Sequence, residues 1–288
     1  MLTHHHPQPR KPSRAVLLGV NGFIGRALAA RLADEGIAVA AVGRGTVDLA
    51  ADGAAETLAG LLRPGDAVIF LAAVTPDKGR GVVAFLANVK MGAAVCAALE
   101  RVPPDHVVYF SSDAVYPLRG GLVNEESCAE PTDLYGAMHL ARELMLKQAA
   151  KAPLAVLRPS LVFGAGDTHN SYGPNRFRRM AREGRITLFG EGEETRDHIY
   201  IDDVAALTFL TILHRSAGTL NLATGQSLSF RETAERVARL SGQNIPVVGT
   251  PRQNPVTHRA YDVTAIYRSF PQFRFTPLEQ GLAAAHRE

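Results

Sequence analysis

From residue 14 onward, short apolar runs alternate with longer stretches in which apolar positions recur every three or four residues. The short runs, 15–20, 37–42, 67–71, 107–110 and 154–157, are rich in Ala, Val, Ile and Leu and read as strands buried on both faces. Between them lie stretches with helical periodicity, 23–35 and 132–150 among them. Such alternation predicts a doubly wound α/β domain, a parallel sheet covered by helices. After Arg158 the chain turns to Gly, Asn, Arg and Pro as far as Gly190, which predicts loops and one helix over the sheet edge. Residues 199–214 return to helical periodicity, and the end predicts a strand at 219–222 and helices at 229–241 and 278–285.

Composition narrows the class. With 288 residues, 46% hydrophobic and 20% charged, the chain can bury a substantial core and is neither disordered nor collagen-like. Its longest uninterrupted apolar run, 67–74, falls far short of the roughly 20 residues that a membrane-spanning helix needs. Residues 1–13 carry no apolar signal-peptide core and read as a flexible polar tail on a cytoplasmic protein. The formal charge of +3 comes from Arg10, Lys11 and Arg14 at that end, and the remainder is balanced, so neither a nucleic-acid nor a membrane partner is expected. Two cysteines cannot make a disulfide framework, Cys96 reads as core packing, and no metal site is expected.

The first strand runs directly into Gly19-Val20-Asn21-Gly22-Phe23-Ile24-Gly25 and then a helix. Glycines in that position let the backbone turn sharply and approach a pyrophosphate, whose charge sits against free N–H groups at the positive helix end. Dinucleotide binding follows from this strand–turn–helix order far more strongly than from the glycines alone. At the end of the second strand an acid would bind ribose hydroxyls and an arginine a 2′-phosphate. The residue there is Arg44, which points to NADP, with NAD as the alternative.

The Gly-x-x-Gly-x-x-Gly spacing resembles the extended short-chain dehydrogenases/reductases, the family of NAD(P)-dependent nucleotide-sugar epimerases and dehydratases. Further segments resemble that family in order: Leu71-Ala72-Ala73 after the fourth strand, Asn88-Val89 in a helix, 110–116 (FSSDAVY) around Ser112, Tyr135, 157–164 (LRPSLVFG), and 190–204 (GEGEETRDHIYIDDV). The resemblance spans about 14–285. It implies a Rossmann-type domain at 14–165 to which 199–223 return, and a smaller substrate-binding lobe from 166–198 and 224–288. It also implies that Asp48-Leu49, Leu71, Ala72, Ala73 and Asn88 line the cofactor with Gly19, Gly22, Phe23, Ile24 and Gly25. Two helices pairing across a homodimer would be the family's usual assembly, with 88–98 and 135–147 apolar enough for it.

Hydride transfer needs a proton donor or acceptor on the reacting oxygen, and a tyrosine serves when nearby positive charge pulls its pKa down from about 10. By resemblance Tyr135 is that acid/base and Ser112 holds the same oxygen. One departure stands out: the family's lysine four residues after the tyrosine is here His139, which shares Tyr135's helix face and whose reference pKa near 6.5 leaves it only partly charged at pH 7. Arg196 is by resemblance the ligand of the sugar's diphosphate, with Arg259 a second and Asn170, in the 167–170 loop, over the sugar. Family 4,6-dehydratases carry Asp-Glu after the catalytic Ser or Thr, whereas Asp113-Ala114 stands here, and the cysteine of the fucose-synthase-like branch is replaced by Ala114. The expectation is an NAD(P)-dependent epimerase or 4-ketoreductase of a nucleotide-activated sugar. A catalytically impaired NAD(P)-binding sensor or scaffold is the alternative.

Overall fold

A computed structural model describes residues 1–167, 169–170 and 172–287. In chain order the elements are β1 (Leu2–His4), β2 (Arg14–Leu18), α1 (Phe23–Asp34), β3 (Ala38–Val42), α2 (Ala54–Leu61), β4 (Asp66–Phe70), α3 (Val82–Arg101), β5 (His106–Phe110), β6 (Leu122–Val123), α4 (Leu134–Ala149), β7 (Leu154–Pro159) and β8 (Leu161–Phe163). They continue with α5 (Pro174–Arg182), β9 (Ile186–Phe189), β10 (Thr195–Tyr200), α6 (Ile201–Leu213), β11 (Ser216–Leu222), β12 (Ser227–Ser229), α7 (Phe230–Leu240), β13 (Val247–Thr250), β14 (Ala260–Tyr261), α8 (Thr264–Ser269) and α9 (Leu278–His286).

The large sheet has the order β1-β11-β7-β5-β4-β2-β3 and is parallel except at β1. Apart from Arg14, Asp66 and His106 at their starts and Arg158 near the end of β7, strands β2, β4, β5 and β7 are apolar because each face is covered. Leu17, Ile69, Val108 and Leu157 pack under α1, α6 and α8, whereas Val16, Val68, Tyr109 and Val156 pack under α2, α3 and α4. Each fully buried Leu or Val in these layers contributes about 1.5–3 kcal/mol. Register aligns the carboxyl ends of the strands: Leu18 pairs with Val42 and Phe70, Phe70 with Tyr109, and Phe110 with Leu157. Ligands of open parallel sheets sit beyond those ends.

Three sequence expectations change. The first residues, read as a flexible tail, form edge strand β1, paired antiparallel from Leu2 with Gly218 to His4 with Ser216. His4 accepts from Ser216 Oγ at 2.8 Å and donates to the Ser269 carbonyl at 2.9 Å, and its ring stacks on His214. The unpaired ladder of β11 supplies the partner that local sequence could not reveal. The stretch 159–190 holds strands β8 and β9 as well as α5, and residues 199–200 end strand β10 before α6 begins. Finally, α3 is long and apolar enough to cross a membrane by composition, at mean hydropathy 1.9. Here it lies between α2 and α4 over the sheet, with Val95, Ala98 and Leu99 buried.

The remaining strands make small sheets, β12-β10-β8, β13-β9 and β14-β6. Helices α5, α7 and α9 pack there around Phe163, Phe177, Leu188, Phe230 and Leu282. Helix α7 starts where its periodicity predicts, because Ser229 and Glu232 form a reciprocal capping box.

Candidate active site

Gly19 turns β2 into the glycine loop with φ +101°, and a Cβ there would lie 2.8 Å from the Ala72 backbone nitrogen, so the position demands glycine twice over. A Cβ at Gly25 would strike the carbonyls of Gly19 and Val20, which lets α1 close on the turn. Gly22 donates to the Gly19 carbonyl at 3.0 Å and caps α1 without a side chain, leaving the helix's first N–H groups facing the loop. Phe23 is buried and Ile24 half-buried behind it, and Leu71, Ala72 and Ala73, half-buried, line the far wall past β4. Arg44 stands exposed just beyond β3, with no hydrogen-bonding or ion-pair partner among the described residues. Asp48 accepts from the Ala50 N–H at 3.0 Å, and Leu49 is buried in the core against α2. Asn88 is buried, and its amide brackets both backbone groups of Val74, so it holds the loop after β4.

Ser112 leaves β5 into the 3₁₀ turn Asp113–Val115. Its Oγ accepts from the Ala114 N–H at 3.1 Å and lies 3.4 Å from the Asp113 carboxylate. That turn packs on the start of α4, where Gly136 is required because a Cβ would run into the Ala114 carbonyl. Asp133 caps α4 by accepting from Gly136 at 2.8 Å, so Tyr135 sits in the first turn next to the Ser112 segment. The Tyr135 hydroxyl has no hydrogen-bond partner among the described residues. Burial and then the charge of Asp113 push it above its ordinary pKa, and Arg142 opposes them.

His139 does not carry the partial charge its reference pKa suggests. It is buried at 2% exposure, and burial together with the Arg142 cation holds it well below 6.5, hence neutral. Its Nδ1 meets the Tyr109 hydroxyl at 2.8 Å, its ring sits edge-on to Tyr135 at 4.6 Å, and its buried Nε2 has no partner among the described residues.

On the other side of the cleft, the half-buried Arg196 guanidinium on β10 is held by the Thr257 carbonyl at 2.7 Å and the Thr257 hydroxyl at 2.7 Å, over the Phe230 ring. Arg259 departs from the diphosphate role expected of it. It is 4% exposed and donates to the Asp113 carbonyl and carboxylate and to the carbonyls of Tyr116 and Pro117, so its terminal nitrogens are engaged by the protein itself. Together with Tyr261, which donates to Asp113 at 2.8 Å, it anchors the turn that carries Ser112. Asn170 is exposed at φ +50°, and its side chain accepts from Arg179 at 2.6 Å. The neighbouring His169 Nδ1 lies 3.1 Å from Asp77 and 3.3 Å from Thr75, which ties this loop to the one after β4. Thr168 of the same loop lies outside the described residues. On α5, Arg178 is buried and donates to the Ala285 carbonyl, Arg179 holds the 167–170 loop, and Arg176 sits over Tyr172.

A model of the NAD dependent epimerase/dehydratase family matches residues 15–223, most of the chain. The chain belongs to that family. It is 36% identical over 144 residues to a dTDP-L-rhamnose 4-epimerase of Burkholderia thailandensis, a match covering 46% of this chain and 40% of that protein. Among solved structures it resembles MoeE5 in complex with UDP-glucose and NAD, with TM-score 0.81 at 24% identity, covering 95% of this chain and 97% of that one. It also resembles a GDP-L-fucose synthetase of Naegleria fowleri bound to NADP, with TM-score 0.85 at 18% identity, covering 98% and 94%. At those identities the two structures speak for the fold alone.

Two residues around Ser112 and Tyr135 were not found from sequence. Tyr109 is a buried residue of β5, and nothing local separates it from core packing. Arg142 lies two turns beyond Tyr135 on the same face of α4 and is completely buried between α3 and α4. The one sequence signal for it is the i, i+4, i+7 spacing of Tyr135, His139 and Arg142.

Proposed function

We propose that this family member transfers hydride between a nicotinamide dinucleotide and a carbon of a nucleotide-activated sugar, as an epimerase or 4-ketoreductase. The observation that carries the reading is the Tyr135 hydroxyl, unpartnered among the described residues, on the turn of α4 that packs against the turn begun by Ser112, with the glycine cradle at the carboxyl end of the same parallel sheet. The residues present fit a dinucleotide: the cradle leaves no room for a Cβ at Gly19 or Gly25, and His139 keeps a buried ring nitrogen without a partner among the described residues. Arg44, exposed and unpaired among the described residues, favours NADP, with NAD as the alternative. When bound, the nicotinamide supplies or accepts the hydride.

The chain's own residues do the rest. Ser112 Oγ donates to the sugar oxygen, and Tyr135, half-buried beside that turn, gives or takes the proton at its hydroxyl. Arg196, held on Thr257 over Phe230, would meet the diphosphate with the guanidinium edge the protein leaves uncovered. Asn170 and the 166–198 and 224–288 segments would form the sugar side of the cleft. The same reading pairs α3 and α4 with those of a second copy. Both show apolar side chains to solvent, Val83 and Leu86 on α3 and Leu144 on α4, and sedimentation of Leu86→Asp beside the unaltered protein tests the pairing.

The rival, an NAD(P) sensor without turnover, draws on one observation: the residue in the lysine position is neutral. Thermal stabilisation with NADPH, NADH and a panel of UDP-, dTDP- and GDP-sugars separates the two. The enzyme reading expects a rise with one dinucleotide and a further rise with one nucleotide class. Stabilisation by the dinucleotide alone would favour the sensor, and no dinucleotide response would overturn both.

A further inference from the structure

Arg142 is a buried cation without an anion. Its Nε donates to the Asn88 carbonyl at 2.8 Å, Nη1 to the Ala72 carbonyl at 2.9 Å and Nη2 to the Asn88 side-chain oxygen at 3.2 Å, all neutral acceptors. It forms no ion pair among the described residues, although Glu143, next to it in sequence, pairs with Arg158. Gly92 on α3 makes room for it: a Cβ there would lie 3.0 Å from the Arg142 Cγ. Burying an uncompensated charge is costly, so a fold that builds a slot for one points to a use for it.

The groups facing it show the use. On β5 the Tyr109 hydroxyl bears on the guanidinium, on α4 Tyr135 and His139 do, and on α3 Cys96 does. A phenol oxygen beside a cation turns its lone pairs toward it and its proton away. Among the described residues the hydrogen-bond partner of the Tyr109 hydroxyl is His139 Nδ1, at 2.8 Å. With Tyr109 donating to Nδ1, the neutral imidazole must carry its proton on Nε2, the buried nitrogen that has no partner among the described residues.

We infer that Arg142 and Tyr109 are positioning residues that lock His139 in the Nε2–H tautomer, so that the imidazole presents one fixed hydrogen-bond donor to a hydroxyl of the bound dinucleotide. The inference rests on the dinucleotide reading above and extends it. A neutral donor of fixed direction replaces the ammonium that the family's lysine would bring, and the positive charge is moved one layer back, onto Arg142. Asn88 and Ala72, held by the same guanidinium, couple that layer to the wall of the cofactor cleft.

Nitrogen-15 imidazole spectra read the tautomer directly in the protein without ligand. The chain has ten histidines, and His139 is identified by the resonance lost in His139→Gln. The expected result is a protonated Nε2 and an unprotonated Nδ1 at neutral pH. Tyr109→Phe and Arg142→Met should convert it to a mixture, and Arg142→Lys should restore it. A protonated Nδ1 in the unaltered protein, or a pattern indifferent to Tyr109→Phe, would overturn the inference. Should Arg142→Met fail to fold, Tyr109→Phe decides alone. Calorimetry with NADP+ and NAD+ completes the test: the unaltered protein should bind the preferred one about tenfold more tightly than Tyr109→Phe does. If the unaltered protein binds neither, the dinucleotide reading fails while the spectra still decide the tautomer. Binding undiminished in a Tyr109→Phe protein with mixed tautomers would overturn the donor role.

Discussion

Tyr135 combines two opposed influences that set its pH behaviour. Burial and the Asp113 carboxylate favour the neutral phenol, and the Arg142 cation favours the phenolate. Because the folded pKa is raised, a step that needs the phenolate speeds up as pH rises, and it does so at higher pH than a free tyrosine would allow. Asp113→Asn removes the second-largest of these causes and should move the inflection of the oxidative direction to lower pH. Arg142→Met should move it to higher pH, and pH–rate profiles of both variants check the two signs. Asp77 and Asp133 also face Tyr135 and remain in both variants. Local spacing made Tyr135, Ser112 and the glycine turn legible, because motif residues and their elements are close in sequence. The engagement of Arg259 by Asp113, and the Tyr109–His139 contact, bring together residues far apart in the chain, and no local pattern encodes them.

At the scale of elements, α4 is fastened to the sheet by a buried ion pair as well as by apolar packing. Arg158 on β7 donates twice to Glu143 on α4, at 2.9 and 2.6 Å, and once to the Tyr116 hydroxyl at 2.8 Å. Ser111, next to Ser112, donates to the same carboxylate at 2.6 Å. The helix that carries Tyr135 and the strand end that carries Ser112 are therefore held on one anion. Arg158→Met should destabilise the protein by about 3 kcal/mol, since it leaves the buried Glu143 with only the half-exposed Lys147, 4.0 Å away. Urea unfolding measures this, and an unchanged midpoint would refute the fastening. The helix and both strands were readable from periodicity, with ends displaced by a residue or two. Strands β8 and β9 were not, because they are apolar runs of three and four residues set in a stretch rich in Gly, Arg and Asn, and their partners β10 and β13 are distant in sequence.

For the whole molecule, the sheet's outer edge depends on residues that composition alone marks as a tail. Beyond β1, the His6 and Arg10 N–H groups bond to the His214 and Leu213 carbonyls. Removing residues 1–10 should uncover the β11 edge, lower the melting temperature and promote self-association, which calorimetry and light scattering would detect. An unchanged melting temperature would mean that the strand adds nothing to the fold.

The measurement that bears most directly on the central claim follows nicotinamide absorbance while UDP-, dTDP- and GDP-sugars are added to the protein loaded with NADP+ or NAD+, or with the reduced forms. One nucleotide class should reduce or reoxidise the bound dinucleotide, with Tyr135→Phe slowing the change by about 10²–10⁴-fold while retaining dinucleotide binding. A protein that binds the dinucleotide tightly yet shows no change in absorbance with any of these sugars would contradict that claim.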